Sequence, residues 1–168
     1  IDIGTNAIRL FISNVEEYPT ETLFKKIAFL RVPIRLGEDV FTTGEIGQQK
    51  GKRLCETMQG FSYIMSAFNV ESYKAYATCA MREARNGKSV AEQIQKECDL
   101  NIEIISGTKE AETIFAGGRN EGVDDDKTYL YVDVGGGSTE VIVYSKSVKV
   151  EACSFPLGTV RMLNDAMD

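Results

Sequence analysis

The sequence predicts an α/β fold in which a lobe of order βββαβαβα is followed by the start of a second, similar lobe. Two observations predict it. The spacing of apolar residues changes along the chain from the alternation of strands to the three- and four-residue steps of helices. An acidic, glycine-containing turn also follows the first strand of each lobe, at 2–6 and at 133–140. We therefore expect residues 1–124 to form the first lobe and residues 125–168 to begin the second.

The first lobe opens with strands and continues into a helix. Residues 1–15 predict two short strands joined at Gly4-Thr5-Asn6, and residues 22–36 predict a third strand that bends near Pro33. Short turns between successive strands are typical of an antiparallel meander. Residues 44–69 then change period, which predicts an amphipathic helix. The apolar face of that helix consists of Leu54, Met58, Phe61, Met65 and Phe68.

The remainder of the first lobe alternates strands and helices. Residues 72–79 predict a strand, and the segment Ser89-Val90-Ala91-Glu92 has the spacing of a capping box at the start of a short helix. Residues 102–105 predict a β-branched strand. After it, Thr108 can cap a helix that runs to about Gly118.

The second copy of the plan follows a polar segment at 121–127, which is the candidate boundary between the lobes. Strands are predicted at 129–134, 140–144 and about 148–155, with the second glycine turn between the first two. The chain begins within a predicted strand and ends within a predicted helix. We therefore expect it to be a segment of a longer protein.

Composition excludes several classes of function. The chain of 168 residues has 43% apolar residues, which is enough for a core, and a formal net charge of −6. A negative surface argues against nucleic-acid binding, and no apolar run of membrane length is present. The absence of histidine excludes Ser-His-Asp and Cys-His catalysis within this chain, so acid–base work falls to carboxylates, lysine or tyrosine.

The four cysteines are spaced irregularly and contain no Cys-x-x-Cys pair, which argues against a zinc site. We expect buried free thiols at Cys55, Cys79, Cys98 and Cys153, and hence a reducing, cytoplasmic compartment. Cys79 and Arg85 have the spacing of a cysteine phosphatase loop. The residues between them include Glu83 and no glycine, which argues against that chemistry.

The second turn carries the strongest functional signal. Its first acid, Asp133, ends an apolar strand, where a carboxylate is costly without partners. Consecutive glycines let several backbone N–H groups point into one concavity that can hold phosphate. Carboxylates can hold Mg²⁺, directly or through water. The predicted phosphate-binding residues of this turn are Gly135, Gly136, Gly137, Ser138 and Thr139, and the predicted metal-binding residues are Asp133 and Glu140.

The first turn is a weaker signal when taken alone. Asp2-Ile3-Gly4-Thr5-Asn6 is compatible with ordinary turn chemistry. Because it lies at the same place in the duplicated plan, we expect Gly4, Thr5 and Asn6 to bind phosphate across a cleft from the second turn. Neither turn is a P-loop, which requires Gly-Lys-Ser/Thr at a helix start.

Two further side chains are candidates for the chemistry. Glu110 lies in the first turn of the helix that follows Thr108, where a carboxylate could act as a general base, and Glu112 and Glu103 compete with it for this role. Arg82 directly follows a predicted strand, and arginine is suited to bidentate phosphate contact.

Four segments together resemble one known family. They are IDIGTNAIRL at 1–10, ATCAMREARNG at 77–87, IISGTKEA at 104–111 and DVGGGSTE at 133–140. In this order the segments resemble the exopolyphosphatase / guanosine pentaphosphate phosphohydrolase family, within the actin-like and sugar-kinase-like ATPase superfamily. The resemblance implies two ribonuclease-H-like lobes of the actin type, with the active site between them.

The resemblance also implies an activity, which is hydrolytic removal of a terminal phosphate with Mg²⁺ as the cofactor. It implies that Glu110 is the catalytic base, that Asp133 and Glu140 bind metal, and that Arg82 contacts the phosphate chain. The sequence departs from the family at Lys109, where a glutamate is common, and at Glu112, where an arginine is usual. These departures leave the choice between polyphosphate and guanosine pentaphosphate open.

Three alternatives remain open from the sequence. One is an ATP-dependent kinase of the same superfamily, and another is a non-enzymatic, nucleotide-binding module like actin or the heat-shock chaperones. The third is a bacterial regulatory protein that only senses guanosine tetraphosphate. The number of metal ions and the oligomeric state are also open, with a homodimer as one alternative.

Overall fold

The computed structural model describes residues 1–19, 22–118, 126–146 and 148–165. It contains two β-sheets with α-helices packed against them. Among these residues, no helix combines the length and the apolar character required to cross a bilayer.

The first sheet has five strands in the order β3-β2-β1-β4-β5. Strands β1 (Asp2–Ile3), β2 (Ile8–Glu17) and β3 (Thr22–Val32) are antiparallel, which confirms the meander. The short strands β4 (Tyr76–Ala77) and β5 (Glu103–Ile104) add in parallel beside β1. The carboxyl ends of the three parallel strands therefore lie at one edge of the sheet.

Five helices follow or connect these strands. They are α1 (Leu36–Thr43), α2 (Gln48–Ala67), α3 (Cys79–Glu83), α4 (Gly87–Cys98) and α5 (Gly107–Gly118). Helix α2 buries Leu54, Met58, Phe61 and Met65, as its period predicts. Phe68 follows the end of the helix and is exposed, so its predicted place in the apolar face is wrong.

The second sheet contains β6 (Thr128–Val134), β7 (Thr139–Ser145) and β8 (Val148–Phe155) in an antiparallel meander. Helix α6 (Thr159–Asp165) follows. The second turn lies between β6 and β7, just as the first turn lies between β1 and β2. The predicted repetition of strand, turn, strand and strand is therefore present in the structure.

Helix α5 joins the two halves. Its Ala111 is fully buried against Ile142 and Tyr144 of β7, and Glu112 forms an ion pair with Lys149 of β8. A helix that follows the first sheet in sequence thus covers one face of the second sheet. This packing carries the start of α5 to the second glycine turn.

Two short helices depart from the predicted order. The strand predicted over 22–36 ends at Val32, because Pro33 cannot donate to the ladder and Arg35 has a left-handed φ of 59° that turns the chain into α1. The strand predicted over 72–79 is only two residues long, and α3 begins at Cys79.

The predicted helix starts also need correction. Helix α4 begins at Gly87 and not at Ser89, because the side chain of Asn86 bonds to the backbone N–H and C=O of Ile46 and fixes the chain there. Helix α5 begins at Gly107, and the hydroxyl of Ser106 accepts the N–H of Lys109 in place of the predicted Thr108 cap.

Two predictions remain, one about the four cysteines and one about the boundary between the lobes. All four cysteines are free, with Cys79 and Cys98 buried and Cys55 half-buried. Cys153 is exposed on β8, so its predicted burial is wrong. The candidate boundary at 121–127 falls mostly outside the described residues, and the division at 124 stays a prediction.

Candidate functional site

The two glycine turns line one cleft of about 390 Å³. The first turn follows the end of β1 and the second turn follows the end of β6, and residues of both turns line the cleft. The predicted site residues in the lining are Gly4, Thr5, Asn6, Glu110, Asp133, Gly135, Gly136, Gly137 and Ser138. The structure thus brings together residues that lie more than 100 positions apart in the sequence.

The turns touch each other through Thr5. A Cβ atom added at Gly136 would lie 3.0 Å from the Thr5 methyl carbon, and one added at Gly137 would lie 2.5 Å from the Cys79 sulfur and 2.6 Å from the Phe41 ring. Any side chain at these two positions would push the first lobe away from the second turn. Glycine is therefore required here for the close approach of the second turn to side chains of the first lobe.

The backbone of the second turn has a defined direction. The Gly135 N–H donates to the Ser138 carbonyl at 2.8 Å and closes the turn. The carbonyls of Gly135 and Gly136 accept N–H groups from the start of α6 at 2.8 to 3.1 Å. Because the C=O and N–H of one trans peptide point in opposite directions, the following N–H groups point away from α6. Such a row of N–H groups is suited to an anion.

Two carboxylates lie side by side on the second sheet. Asp133 and Glu140 are direct cross-strand partners, and Ser154 is the next residue in the same row. Residues in one row share a face of the sheet and lie about 5 Å apart at their Cβ atoms. Glu140 is only 1% exposed and accepts hydrogen bonds from the hydroxyls of Ser138 at 2.7 Å and Ser154 at 2.9 Å.

Glu110 enters the same space from the first turn of α5. The helix begins so close to β8 that a Cβ atom at Gly107 would lie 2.5 Å from the Ser154 Cβ atom. The pKa of Glu110 is raised to about 7, chiefly by burial and then by the negative charge of Glu140 and, to a smaller extent, that of Asp2, while Arg82 partly offsets the rise. A carboxylate with a pKa near 7 can take up and release a proton at neutral pH.

Arg82 lies beside Glu110, outside the lining of the cleft. Its NH1 group donates to the Ile105 carbonyl at 2.8 Å and lies 3.4 Å from a Glu110 carboxylate oxygen. Its side chain is 26% exposed, so the arginine is not fully enclosed by the protein. The arginine can therefore orient the carboxylate and meet an incoming anion.

The hydroxyls of the second turn have partners within the protein. Ser138 donates to Glu140, and Thr139 donates to the Leu157 carbonyl at 2.6 Å. Neither Thr139 nor Glu140 belongs to the lining. Phosphate binding at Ser138 and Thr139 stays a prediction. The backbone N–H groups of these residues could bind phosphate without their hydroxyls.

The donor set fits a hard divalent cation that is shared with a substrate. Asp133 lines the cleft, Glu140 lies behind it, and the charge of Glu140 acts on Glu110. Among the described residues, no three histidine, cysteine or acidic side chains lie close enough to hold a metal by themselves. Mg²⁺ commonly binds one or two carboxylates and completes its shell with water and substrate phosphates.

The competing candidates lie elsewhere. Glu112 pairs with Lys149 outside the cleft, and Glu103 is exposed on β5. Burial and the neighbouring Glu83 raise the pKa of the Cys79 thiol to about 11, so it is not a thiolate at neutral pH. This agrees with the sequence argument against cysteine phosphatase chemistry.

Three residues near the cleft were missed by the sequence reasoning. Arg9 lines it and forms a 2.6 Å ion pair with Asp2, its cross-strand partner. The register of β1 and β2 could have revealed this pair. Ser154 and Arg161 come from the end of the chain, and no local pattern points to them.

The chain is similar to named phosphatases over nearly its whole length. It is 31% identical to the bifunctional 3-dehydroquinate synthase/phosphatase of Fusobacterium nucleatum over 166 residues, which cover 96% of this chain and 25% of that protein. It is 27% identical to exopolyphosphatase 1 of Mycobacterium tuberculosis, covering 98% of this chain and 47% of that protein. The chain thus spans half or less of the length of these two relatives.

The fold of the chain is also similar to that of solved structures. The crystal structure of an exopolyphosphatase from Cytophaga hutchinsonii superposes with a TM-score of 0.89 at 29% identity, covering 98% of this chain and 51% of that one. This match confirms the predicted actin-like α/β fold, and the chain spans about half of that structure. The model of the Ppx/GppA phosphatase family matches residues 14–168, and the chain therefore belongs to that family.

Proposed function

We propose that the full-length protein is a Mg²⁺-dependent phosphohydrolase that releases the terminal phosphate of inorganic polyphosphate or of guanosine pentaphosphate. The observation that carries the proposal is the position of Glu110. Its carboxylate has a pKa of about 7 and faces a cleft formed by two glycine turns. Relatives of the chain that are named exopolyphosphatases support polyphosphate as a substrate.

In this proposal the two turns hold the end of the phosphate chain. The N–H groups that follow the Gly135 and Gly136 carbonyls bind phosphate oxygens, because they point away from α6. Gly4, Thr5 and Asn6 contribute from the opposite wall. Arg82, which contacts Glu110 in the absence of substrate, also contacts the phosphate when the anion binds.

Glu110 then activates water. The carboxylate accepts a proton from a water molecule, whose oxygen attacks the terminal phosphorus in line with the bridging oxygen. The bond from phosphorus to the bridging oxygen breaks, which yields orthophosphate and a chain that is one phosphate shorter. Mg²⁺ held by Asp133 and Glu140 would neutralise charge on the phosphate oxygens.

The test is the substitution Glu110→Gln in the full-length protein. We expect phosphate release to fall by roughly 10²–10⁴-fold, which is the usual contribution of a general base, with the circular dichroism spectrum unchanged. The matched control is Glu112→Gln on the same helix, which only breaks the ion pair with Lys149. Near-normal turnover of Glu110→Gln would refute the proposed role of Glu110.

Substrate arms of the same assay separate the alternatives. Phosphate release is measured from long polyphosphate, guanosine pentaphosphate and ATP, each with Mg²⁺ and with a chelator. ATP consumption that depends on a sugar or acetate acceptor would favour a kinase. Nucleotide-dependent assembly in light scattering, without turnover, would favour a module like actin.

We also propose that the protein is cytoplasmic and that it binds neither nucleic acid nor membranes. The net charge of −6 and the four free thiols support it. A homodimer remains an open arrangement, which analytical ultracentrifugation of the full-length protein would test.

A further inference from the structure

Arg161 joins three parts of the molecule from its place on α6. One of its terminal nitrogens, NH2, lies 2.7 and 2.8 Å from the two carboxylate oxygens of Glu83 on α3. The guanidinium carbon lies 4.2 Å from the centroid of the Phe41 ring on α1. The Nε atom of the same side chain donates to the Gly137 carbonyl at 3.0 Å. The Arg161 side chain is 21% exposed and the Glu83 side chain is 39% exposed, so the ion pair lies at the surface, whereas the bond to Gly137 is partly buried.

The bond to Gly137 completes a series along the second turn. The N–H of Thr159 donates to the Gly135 carbonyl at 3.0 Å, and the N–H groups of Val160 and Arg161 donate to the Gly136 carbonyl at 2.8 and 3.1 Å. Only the Gly137 carbonyl in this series is held by a side chain. Because a trans peptide is planar, holding this carbonyl also fixes the N–H of the next residue, Ser138.

We propose that Arg161 is a positioning residue that fixes the N–H of Ser138 in the second turn for phosphate binding, through its Nε bond to Gly137 and not through its ion pair alone. This inference rests on the proposed function of the cleft. It assigns a role in substrate binding to a side chain that does not itself touch the substrate.

The ion pair has a second consequence. Glu83 is the neighbour of Arg82 on the five-residue helix α3, and Arg82 in turn contacts Glu110. Arg161 therefore connects the second turn to α3, the helix that carries Arg82, and Arg82 contacts the proposed general base Glu110. The two connections, to Gly137 and to Glu83, use different nitrogens of one guanidinium, and they can be separated by substitution.

Glutamine and lysine each retain one of these connections. The side-chain nitrogen of glutamine occupies the position of Nε, so Arg161→Gln keeps a donor for Gly137 and loses the ion pair. Lysine has a carbon at that position and an ammonium one atom further on, so Arg161→Lys keeps the charge for Glu83 and loses the donor. The two variants thus form a matched pair.

The experiment measures KM and kcat for polyphosphate in the full-length protein. We expect Arg161→Lys to raise KM about tenfold, the effect of losing one hydrogen bond from a charged donor, and Arg161→Gln to raise it less than threefold. Thermal unfolding should give the opposite order, with Arg161→Gln the less stable variant. The control is Arg85→Lys, an exposed arginine that also bonds an acid and a backbone carbonyl but lies away from the turn.

Hydrogen exchange supplies a readout that does not need turnover. We expect the backbone N–H groups that are hydrogen-bonded at the turn, those of Gly135, Thr159 and Val160, to exchange faster in Arg161→Lys than in Arg161→Gln. A KM of Arg161→Lys within twofold of the wild type, or a KM that follows the order of stability, would overturn the inference. If the wild type releases no phosphate, the proposed function fails, and the exchange rates still decide whether Arg161 fixes the turn.

Discussion

The two glycine turns occupy the same place in two copies of one plan, and they differ in the residue that faces the acid. In both copies a helix after the third strand donates to the carbonyls of the turn: the Gly37 N–H bonds the Thr5 carbonyl at 3.0 Å, and the Val160 N–H bonds the Gly136 carbonyl at 2.8 Å. Across the strand from the acid, however, Asp2 has Arg9 and Asp133 has Glu140.

This difference separates the tasks of the two turns. The first turn neutralises its own acid by a 2.6 Å ion pair, so it can approach a phosphate chain without an added cation. The second turn places two carboxylates in one row, so it requires a cation when it approaches an anion. The duplicated backbone thus supports an asymmetric site, with predicted phosphate contacts on both walls and the predicted metal-binding acids on one.

The largest effect on the second turn should come from removing one of its two negative charges with Glu140→Gln. The amide oxygen can still accept from Ser138 and Ser154, so we expect the fold to remain. Loss of the charge should lower phosphate release by roughly 10²–10³-fold, because the metal would lose a carboxylate. It should also lower the pKa of Glu110, since the charge of Glu140 raises it, and the acidic limb of the pH–rate profile should move to lower pH.

The control for this substitution is Glu151→Gln, at an exposed position on β8. It removes one negative charge from the same sheet without touching the row of Asp133, and we expect an unchanged pH–rate profile. If Glu140→Gln keeps both the rate of phosphate release and the position of the acidic limb, the charge of Glu140 is not required for the reaction.

Gly37 and Gly158 give the next largest effect. Each follows a leucine at the start of α1 or α6, but their neighbours differ in kind. A Cβ atom at Gly158 would lie 2.4 Å from backbone atoms of Gly136 and Gly137, and one at Gly37 would lie 2.4 Å from the Thr5 methyl carbon. We expect Gly158→Ala to lower the free energy of unfolding by about 3 kcal/mol and Gly37→Ala by about 1–2 kcal/mol, because a side chain can move more easily than a turn.

Urea unfolding followed by circular dichroism would measure both values. Because backbone movement at Gly136 disturbs the predicted phosphate cradle, Gly158→Ala should also raise KM for polyphosphate at temperatures where the protein remains folded. Equal losses of stability for the two variants would contradict the distinction between backbone and side-chain neighbours.

Much of the fold could be predicted from the sequence because its signals are local. The alternating residues of β2 and the helical face of α2 each determine an element within one segment, and the structure confirms both. Helices α1 and α3 were missed since they are only eight and five residues long. Their formation depends on contacts with distant segments, such as the bond from Gly37 to Thr5.

The site could be predicted less completely. The glycine turns were identified from residue type, and Glu110 was identified among three acids only through a resemblance. Its selection has a physical reason that no local pattern contains: α5 crosses to the second sheet, where Ala111 is buried against β7 and Glu110 comes near Glu140. Arg161 lies beyond every motif, and only tertiary contacts reveal its bond to Gly137.

A smaller effect concerns pH and Glu110. The folded-state pKa of about 7 lies above the ordinary value of 4.5, so the folded protein binds this proton more tightly than the unfolded chain. The contribution to stability is therefore fully present below pH 4.5 and is lost as the pH rises through 7. In Glu110→Gln this loss is absent, so we expect that variant to exceed the wild type by roughly 2–3 kcal/mol at pH 8 and to match it at pH 4.5.

Thermal unfolding with a chelator present would test this, because a bound cation would change the titration. A stability difference that does not vary between pH 4.5 and pH 8 would mean that Glu110 titrates in the folded state as it does in the unfolded chain. The neighbouring Glu112→Gln should show no such rise at pH 8, because its carboxylate is paired with Lys149 and its pKa is lowered by that contact.

The smallest effect is expected at Gly60 in the interior of α2, where alanine should stabilise the protein. A Cβ atom there would meet nothing within 4 Å, whereas one at Gly136 or Gly137 would meet Thr5, Phe41 or Cys79 within 3.1 Å. Alanine restricts the unfolded chain and favours the helix, so Gly60→Ala should raise the free energy of unfolding by about 0.5–1 kcal/mol and leave KM unchanged. The same substitution thus stabilises a helix glycine and destabilises the turn glycines. A loss of stability at Gly60 in urea unfolding would show that glycine is required beyond the turns.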